Sequence, residues 1–249
     1  MGSCEALEVV VVRVAVIDSG VHVGHPHVGA IAGGVAFDED GRQHDDYLDR
    51  LGHGTAVTAA IQEKAPDAEF YAVKVFDRTL GTRIATLVKA IDWAAAEGMH
   101  VANLSLGTSK PEHEAALRDA VERATARGLL IVSARDDEGV RWLPGSLPGV
   151  IPVQLDWTCP REEYRVADID GLTIFRASGF PRPIPGVAPE RNLNGISFAV
   201  ANMTGFVARV LKTSSERSIE RVVRDLRAFA PDRPSRRASP ADSTPPSSS

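Results

Sequence analysis

Residues 9–20 read Val-Val-Val-Val-Arg-Val-Ala-Val-Ile-Asp-Ser-Gly, an apolar run that stops at a carboxylate and a turn. Val9–Ile17 is β-branched and is interrupted by Arg13, so it predicts a buried strand and not a signal peptide or a membrane span. Asp18 therefore stands at the carboxyl end of a strand. In open parallel sheets, binding and catalytic sites gather at that edge.

The chain beyond this stretch alternates apolar strands with helices of amphipathic or apolar spacing. The predicted strands are Phe70–Phe76, Val101–Leu106, Leu129–Ser133 and Val150–Leu155. The predicted helices are His53–Ile61, Thr82–Glu97, Glu112–Arg127, Ser197–Leu211 and Ser215–Phe229. This alternation predicts an α/β fold with βαβ units on a parallel sheet, and it places 133–139 at a second strand end.

Composition limits the classes of function. The 249 residues carry a net charge of −5 without a long basic run in the part expected to fold, so nucleic acid is not an expected partner. We expect one folded domain over residues 1–230 and a disordered, Pro- and Ser-rich tail over 231–249. The two cysteines, Cys4 and Cys159, form no disulfide framework, which favours a reducing, cytoplasmic compartment.

Three short motifs carry the chemistry. Residues 15–21 read Ala-Val-Ile-Asp-Ser-Gly-Val, residues 52–57 read Gly-His-Gly-Thr-Ala-Val, and residues 194–199 read Asn-Gly-Ile-Ser-Phe-Ala. Each is weak alone, because it also describes a turn, a loop or a helix cap. Together they supply a carboxylate, an imidazole and a hydroxyl, the groups that activate a serine nucleophile. The glycines beside His53 would let a substrate backbone approach, and Ser197 would begin a buried helix.

These motifs resemble those of the subtilases, in the same Asp, His, Ser order. Ile17–Gly20, His53–Thr55 and Gly195–Ala199 are similar to the three catalytic motifs of that family. Further resembling segments are Tyr71–Val75, Asn103–Gly107 and Pro144–Val153, so the resemblance spans residues 9–211. It implies a three-layer subtilisin-like fold with a mostly parallel central sheet flanked by helices.

The resemblance also implies the roles of individual residues, with no cofactor. Ser197 would attack the scissile carbonyl, His53 would take and return the proton, and Asp18 would orient His53. Ser105, Leu106 and Gly107 would pair with an extended peptide or protein substrate by strand addition. The opposite wall of the first specificity pocket would be formed by Ala134, Arg135 and Asp136.

One departure from the family affects the oxyanion hole. Subtilases usually carry Ala-Gly-Asn-Glu-Gly, whose Asn donates to the oxyanion, but residues 134–139 here read Ala-Arg-Asp-Asp-Glu-Gly, which puts Asp137 at the Asn position. An ionised carboxylate cannot donate a hydrogen bond. Three explanations remain open. Asp137 is protonated in the site and donates a hydrogen bond, or the helix N-terminus and the N–H of Ser197 stabilise the oxyanion without it. In the third, the protein is a catalytically weak or inactive peptide binder.

Metal binding is not expected. The segment between His53 and Ala65 is too short to hold the insertion that wraps calcium in many subtilases. The segment before His53 holds six acidic residues, namely Asp38, Glu39, Asp40, Asp45, Asp46 and Asp49. They either hold a hard cation or form a solvated loop that attracts basic substrate residues, and we favour the loop. His22, His25 and His27 are expected to form a turn.

The expected function is a selective intracellular endopeptidase. The region before Val9 is too short for an inhibitory propeptide and lacks a signal sequence, so we expect an enzyme that folds directly in active form. Arg135 and Asp136 would narrow its pocket. This favours a leader-removing protease, similar to the one that matures a subunit of quinohemoprotein amine dehydrogenase. The alternatives are a catalytically weak or inactive peptide-binding protein and a serine esterase or acyltransferase.

Overall fold

The structure is a computed structural model that describes residues 11–214 and 216–231. Residues 9 and 10 of the expected first strand lie outside the described residues, as does Cys4. So does the predicted tail except for Pro231, which is exposed. Within the described part of the chain, no helix is long and apolar enough to cross a membrane.

Within the described residues, nine strands form one sheet, and they are β1 (Arg13–Asp18), β2 (Gly33–Phe37), β3 (Gln43–His44), β4 (Glu69–Lys74), β5 (Val101–Leu104), β6 (Leu130–Ala134), β9 (Val150–Leu155), β10 (Tyr164–Ile169) and β11 (Leu172–Ala177). Their order across the sheet is β10-β11-β9-β6-β5-β1-β4-β2-β3. The seven inner strands are parallel, while β3 and β10 pair antiparallel at the two edges. A separate hairpin joins β7 (Asp136–Asp137) to β8 (Val140–Arg141).

Helices cover both faces of the sheet. They are α1 (His53–Lys64), α2 (Ile84–Ala96), α3 (Glu114–Ala126), α4 (Ile196–Leu211) and α5 (Ile219–Phe229). One face buries α1, α4 and the inner side of α5 in a core centred on Phe70, Phe198 and Phe206. The other face buries α2 and α3 in a second core. Each sheet face is apolar because each is covered, as parallel sheets require.

The predicted α/β fold, with a mostly parallel sheet flanked by helices, is confirmed. Every predicted strand and helix within the described residues is present, with ends that differ by a few residues. The largest difference is at α5, which begins at Ile219 because Ser218 caps it by accepting a hydrogen bond from the N–H of Arg221. The short hairpin β7–β8 and strands β2, β3, β10 and β11 were not predicted from the sequence.

Candidate active site

Asp18 is the last residue of β1, which lies near the middle of the sheet between β4 and β5. Its side chain is fully buried. The N–H of Ser19 donates a 2.7 Å hydrogen bond to Asp18 Oδ1, which helps to compensate the buried carboxylate. The chain thus places a fixed negative charge at the carboxyl edge of the sheet, as the sequence predicted.

His53 is the first residue of α1, and its Nδ1 lies 2.8 Å and 3.0 Å from the two oxygens of Asp18. A proton on Nδ1 makes His53 the donor in this pair and leaves Nε2 as the proton acceptor. Burial alone would lower the pKa of His53. The hydrogen bond and charge of Asp18, with the charge of Asp49, outweigh burial and raise this pKa above its ordinary value.

Asp49 holds the start of α1, a role that the sequence analysis missed. Its buried carboxylate accepts hydrogen bonds from the N–H groups of Leu51, Gly52 and Thr55, and from the hydroxyls of Ser19 and Thr55. Burial would raise the pKa of Asp49, but these bonds lower it below its ordinary value. Asp49 lies three residues before Gly52, the N-cap position of α1, so the residue preferences of helix N-caps gave no signal for this role.

Gly54 has a packing role that was not predicted from the sequence. A Cβ at Gly54 would lie 2.3 Å from the carbonyl oxygen of Gly20, a distance that real Cβ atoms essentially never adopt. Gly20 itself has a φ of +96°, which favours glycine. The absence of a side chain at Gly54 lets α1 pack closely against the residues that follow β1, and His53 reaches Asp18.

Ser197 is the second residue of α4, after Gly195, whose φ is +132°. Its hydroxyl donates to the carbonyl oxygen of Ser105 at 3.2 Å, and the Ser105 hydroxyl donates to the carbonyl oxygen of Ser197 at 2.9 Å. The ring of Phe198 lies 5.8 Å from the ring of His53, centre to centre. Phe198 therefore lies beside His53, whereas the Ser197 hydroxyl points to Ser105 and, among the described residues, forms no hydrogen bond with His53.

A cavity of about 580 Å³ joins His53 and Ser197, which both line it. Most of its lining is apolar, and several of these side chains come from segments that the sequence analysis did not connect with the site. The apolar lining residues include Phe76, Leu80, Ile84, Leu87, Leu106, Ala134, Trp142, Ile196 and Val200. The arrangement brings a hydroxyl, an imidazole and a mostly apolar volume together at one cavity.

The six predicted substrate-binding residues divide into two groups. Four line the cavity, namely Ser105, Leu106, Gly107 and Ala134. Arg135 and Asp136 do not belong to the lining. Arg135 forms an ion pair with Asp136, which also accepts a 2.7 Å hydrogen bond from the Gln154 amide. These two charges therefore satisfy each other at the flank of the cavity.

The segment after β5 has one paired and one open side. Thr108 exchanges two backbone hydrogen bonds with Leu143, at 3.0 Å and 2.9 Å. Within the described residues, no backbone–backbone hydrogen bond engages Leu106 or Gly107. Open backbone groups beside a paired ladder are where an extended peptide adds as a strand.

Asp137 ends the first strand of the β7–β8 hairpin and is half-buried. The turn uses left-handed conformations at Glu138, with φ +47°, and Gly139, with φ +79°, as two-residue hairpins do. Burial, then the charges of Glu138 and Asp136, raise the pKa of Asp137 above its ordinary value. Asp137 is not among the residues that line the cavity.

Arginines pair with three of the six acidic residues in the segment before His53, and the segment keeps a net negative charge. Asp38 and Asp40 lie 3.9 Å and 3.5 Å from Arg42. Asp46 lies 2.7 Å from Arg50. Among the described residues, no group of three or more His, Cys, Asp or Glu side chains is arranged to hold a metal ion, and this includes His22, His25 and His27.

Comparison with known proteins places these features in a family. A family model described as "Subtilase family" matches residues 11–152, which include Asp18 and His53. Subtilisin Savinase of Lederbergia lenta is 40% identical over 139 residues, which cover 51% of this chain and 48% of that protein. Subtilisin E of Bacillus subtilis (strain 168) is 35% identical over 216 residues, which cover 80% of this chain and 55% of that protein.

A solved structure shares the fold. The crystal structure of a cold adapted subtilisin-like serine proteinase superposes with a TM-score of 0.65 at 21% identity, covering 85% of this chain and 79% of that one. The chain spans about half the length of the two curated relatives named above. Because the family model matches more than half of the 249 residues, the chain belongs to the subtilase family.

Proposed function

We propose that the chain is a serine endopeptidase in which Asp18, His53 and Ser197 cleave a peptide bond. The observation that carries this proposal is the buried Asp18–His53 hydrogen bond at the wall of a cavity that Ser197 also lines. A neutral imidazole held in this way is the general base that a serine hydroxyl needs. Membership of the subtilase family supports the same activity.

The first step requires a rotation of the Ser197 side chain. Its hydroxyl leaves the Ser105 carbonyl and donates to Nε2 of His53, which accepts the proton as the oxygen attacks the scissile carbonyl. The imidazolium that forms is stabilised by the Asp18 carboxylate. His53 then gives its proton to the leaving amine, and a water molecule repeats the sequence to hydrolyse the acyl-enzyme.

The oxyanion is stabilised by two groups in this proposal. Ser197 lies in the first turn of α4, where backbone N–H groups have no partner within the helix and the helix dipole favours negative charge. Asp137 contributes as a protonated carboxylic acid that donates a hydrogen bond, a role supported by the direction of its pKa shift. Above that pKa the carboxylate repels the oxyanion.

The substrate binds in an extended conformation along Ser105, Leu106 and Gly107. The open backbone of Leu106 and Gly107 supports this placement. The finer proposal is a selective processing protease of the cytoplasm that removes a leader from a particular peptide or protein. The presence of only two cysteines supports a reducing compartment.

A second candidate is a peptide-binding protein with weak or no catalysis. Two observations favour it, the Ser197 hydroxyl bonded to Ser105 and a carboxylate at the position of the oxyanion donor. In this alternative the same cavity and the same open backbone bind the peptide without cutting it.

Hydrolysis of internally quenched peptides separates the candidates. We expect the wild-type protein to cut at one or a few bonds, identified by mass spectrometry of the products, and Ser197→Ala to cut none while still binding the peptides. Equal residual cleavage in Ser197→Ala would overturn the peptidase proposal. Fast digestion of casein, a substrate unrelated to any leader, would overturn the selectivity.

A further inference from the structure

The charges that line the large cavity all have one sign. Besides His53, the ionisable side chains of its lining are Arg83, Lys110 and His113. No Asp or Glu of the described residues lines it, although the chain as a whole carries a net charge of −5. A local cationic lining on an acidic protein concentrates negative charge at the site by electrostatic attraction.

Lys110 is the least compensated of these cations. It is exposed, and within the described residues its ammonium group forms neither an ion pair nor a hydrogen bond. Arg83 lies 3.6 Å from Asp40, and both side chains are exposed. Glu112, the carboxylate nearest to Lys110 along the chain, does not line the cavity. Lys110 therefore has its charge available to a bound molecule.

The position of Lys110 relates this charge to the peptide path. Its backbone N–H donates to the hydroxyl of Thr108, at 3.2 Å, and Thr108 is paired with Leu143. Lys110 thus follows the open edge at Leu106 and Gly107 by three to four residues, on a segment that the ladder to Leu143 fixes. A peptide added along that edge passes the lysine.

We propose that the cavity selects peptides that carry a glutamate or aspartate beside an apolar side chain, with the carboxylate bound at Lys110 and Arg83 and the apolar group inside the cavity. This inference rests on the proposed function for the idea that a peptide occupies the site. It differs from the expectation that the acidic segment before His53 attracts basic substrate residues, because none of the acidic residues of that segment lines the cavity.

Four peptide sets test the charge preference, one for each of the four positions that precede the scissile bond. In each set, that position carries Glu, Gln or Lys in an otherwise constant apolar sequence. At low salt we expect kcat/KM for the best Glu peptide to exceed that of its Lys counterpart about fivefold, the size expected for an exposed charge pair. Lys110→Glu should invert this order, and added salt should reduce it.

A matched control is Arg224→Glu, which reverses an exposed charge on α5, away from the cavity lining. It should leave the Glu-to-Lys ratio unchanged, so a change in both variants would show a general charge effect and overturn the assignment to Lys110. A wild-type ratio within twofold of one at every position would also overturn it.

A binding measurement keeps the inference separate from the proposed function. Fluorescein-labelled forms of the same peptides are titrated into Ser197→Ala, and their fluorescence anisotropy is followed. Tighter binding of the Glu peptide in Ser197→Ala, with inversion by an added Lys110→Glu change, supports the inference even when the wild type cuts nothing. Equal binding of the Glu and Lys peptides overturns it, whatever the catalytic result.

Discussion

Two parts of the candidate site differ in how firmly the fold fixes them: the base side, formed by Asp18 and His53, and the hairpin side, formed by Asp136 and Asp137. On the base side, Asp18 is fully buried, and Asp49 holds the start of α1 through five hydrogen bonds to its carboxylate. On the hairpin side, Asp136 and Asp137 are only half-buried and lie in a two-residue strand. Under the proposed function, the difference predicts a preorganised general base and an oxyanion donor at Asp137 that depends on protonation.

Removing the proposed base, His53, tests the base side and has the largest expected effect on kcat. His53→Ala should lower kcat on the order of 10⁶-fold, because Ser197 then has no group to accept its proton. Steady-state hydrolysis of the best quenched peptide measures it, with circular dichroism as the control for folding. A variant that kept more than a few percent of wild-type kcat would show that His53 is not the base.

Asp137→Asn tests the hairpin side. Because the pKa of Asp137 is raised, its protonated form, which can donate a hydrogen bond, remains at a higher pH than an ordinary aspartic acid would allow. This donor is lost as the pH rises through that pKa. The amide donates at every pH. We expect the variant to remain active and to exceed the wild type on the alkaline side, by up to about 100-fold in kcat.

The pH profile of kcat for the two proteins measures this gain. It should be small in acid and should grow as the wild-type carboxyl ionises. Loss of all turnover in Asp137→Asn would contradict the role of Asp137 as a donor. Identical profiles would assign the oxyanion to the α4 N-terminus alone.

Asp49→Ala tests whether the buried carboxylate of Asp49 holds the start of α1 in place. The change leaves several buried donors without a partner and should lower the free energy of unfolding by about 3 kcal/mol. The folded-state pKa of Asp49 is lowered, so its stabilisation is complete above its ordinary pKa of 3.8 and is lost as pH falls through the lower value.

Urea unfolding at pH 7 and at successively lower pH measures this effect. The gap between wild type and Asp49→Ala should be constant near neutrality and should close in acid. Asp46→Ala, which removes an exposed partner of Arg50, is the matched control and should change stability little. Equal effects of the two substitutions would contradict the role given to Asp49.

The smallest expected effect is a shift of the acid limb of activity. Only neutral His53 accepts a proton, and its pKa lies above the ordinary 6.5, so kcat/KM should fall with a midpoint above pH 6.5 as the solution is acidified. The fall of kcat/KM in acid should have the same midpoint in Asp137→Asn, because Asp137 belongs to the hairpin side. A midpoint well below 6.5 would contradict the influence of Asp18 on His53.

The sequence predicted the parts of the fold that are buried on both faces. Val101–Leu104, Leu130–Ala134 and Val150–Leu155 are apolar runs, which a covered parallel sheet requires, and the helices between them show clear periodicity. The Asp18–His53 contact was also predictable, because both residues stand at element ends that meet at one edge of the sheet.

The sequence could not predict the features that depend on partners far along the chain. The edge strand β10 and its neighbour β11 mix charged and apolar residues, and their pairing depends on the turn at Asp170 and Gly171. Arg135 and Asp136 occupy a family pocket position, yet their mutual ion pair appears only in three dimensions. The cationic lining likewise combines Arg83 with Lys110, from separate loops.

The rate at which a fluorophosphonate probe labels Ser197 tests most directly whether the buried Asp18–His53 pair activates this hydroxyl. Intact-mass spectrometry follows labelling at pH 8 in the wild type, Asp18→Asn and Ser197→Ala. We expect rapid, single-site labelling of the wild type, roughly 10³- to 10⁴-fold slower labelling of Asp18→Asn, and none of Ser197→Ala. If the folded wild-type protein were labelled no faster than Asp18→Asn, the Asp18–His53 pair would not activate Ser197.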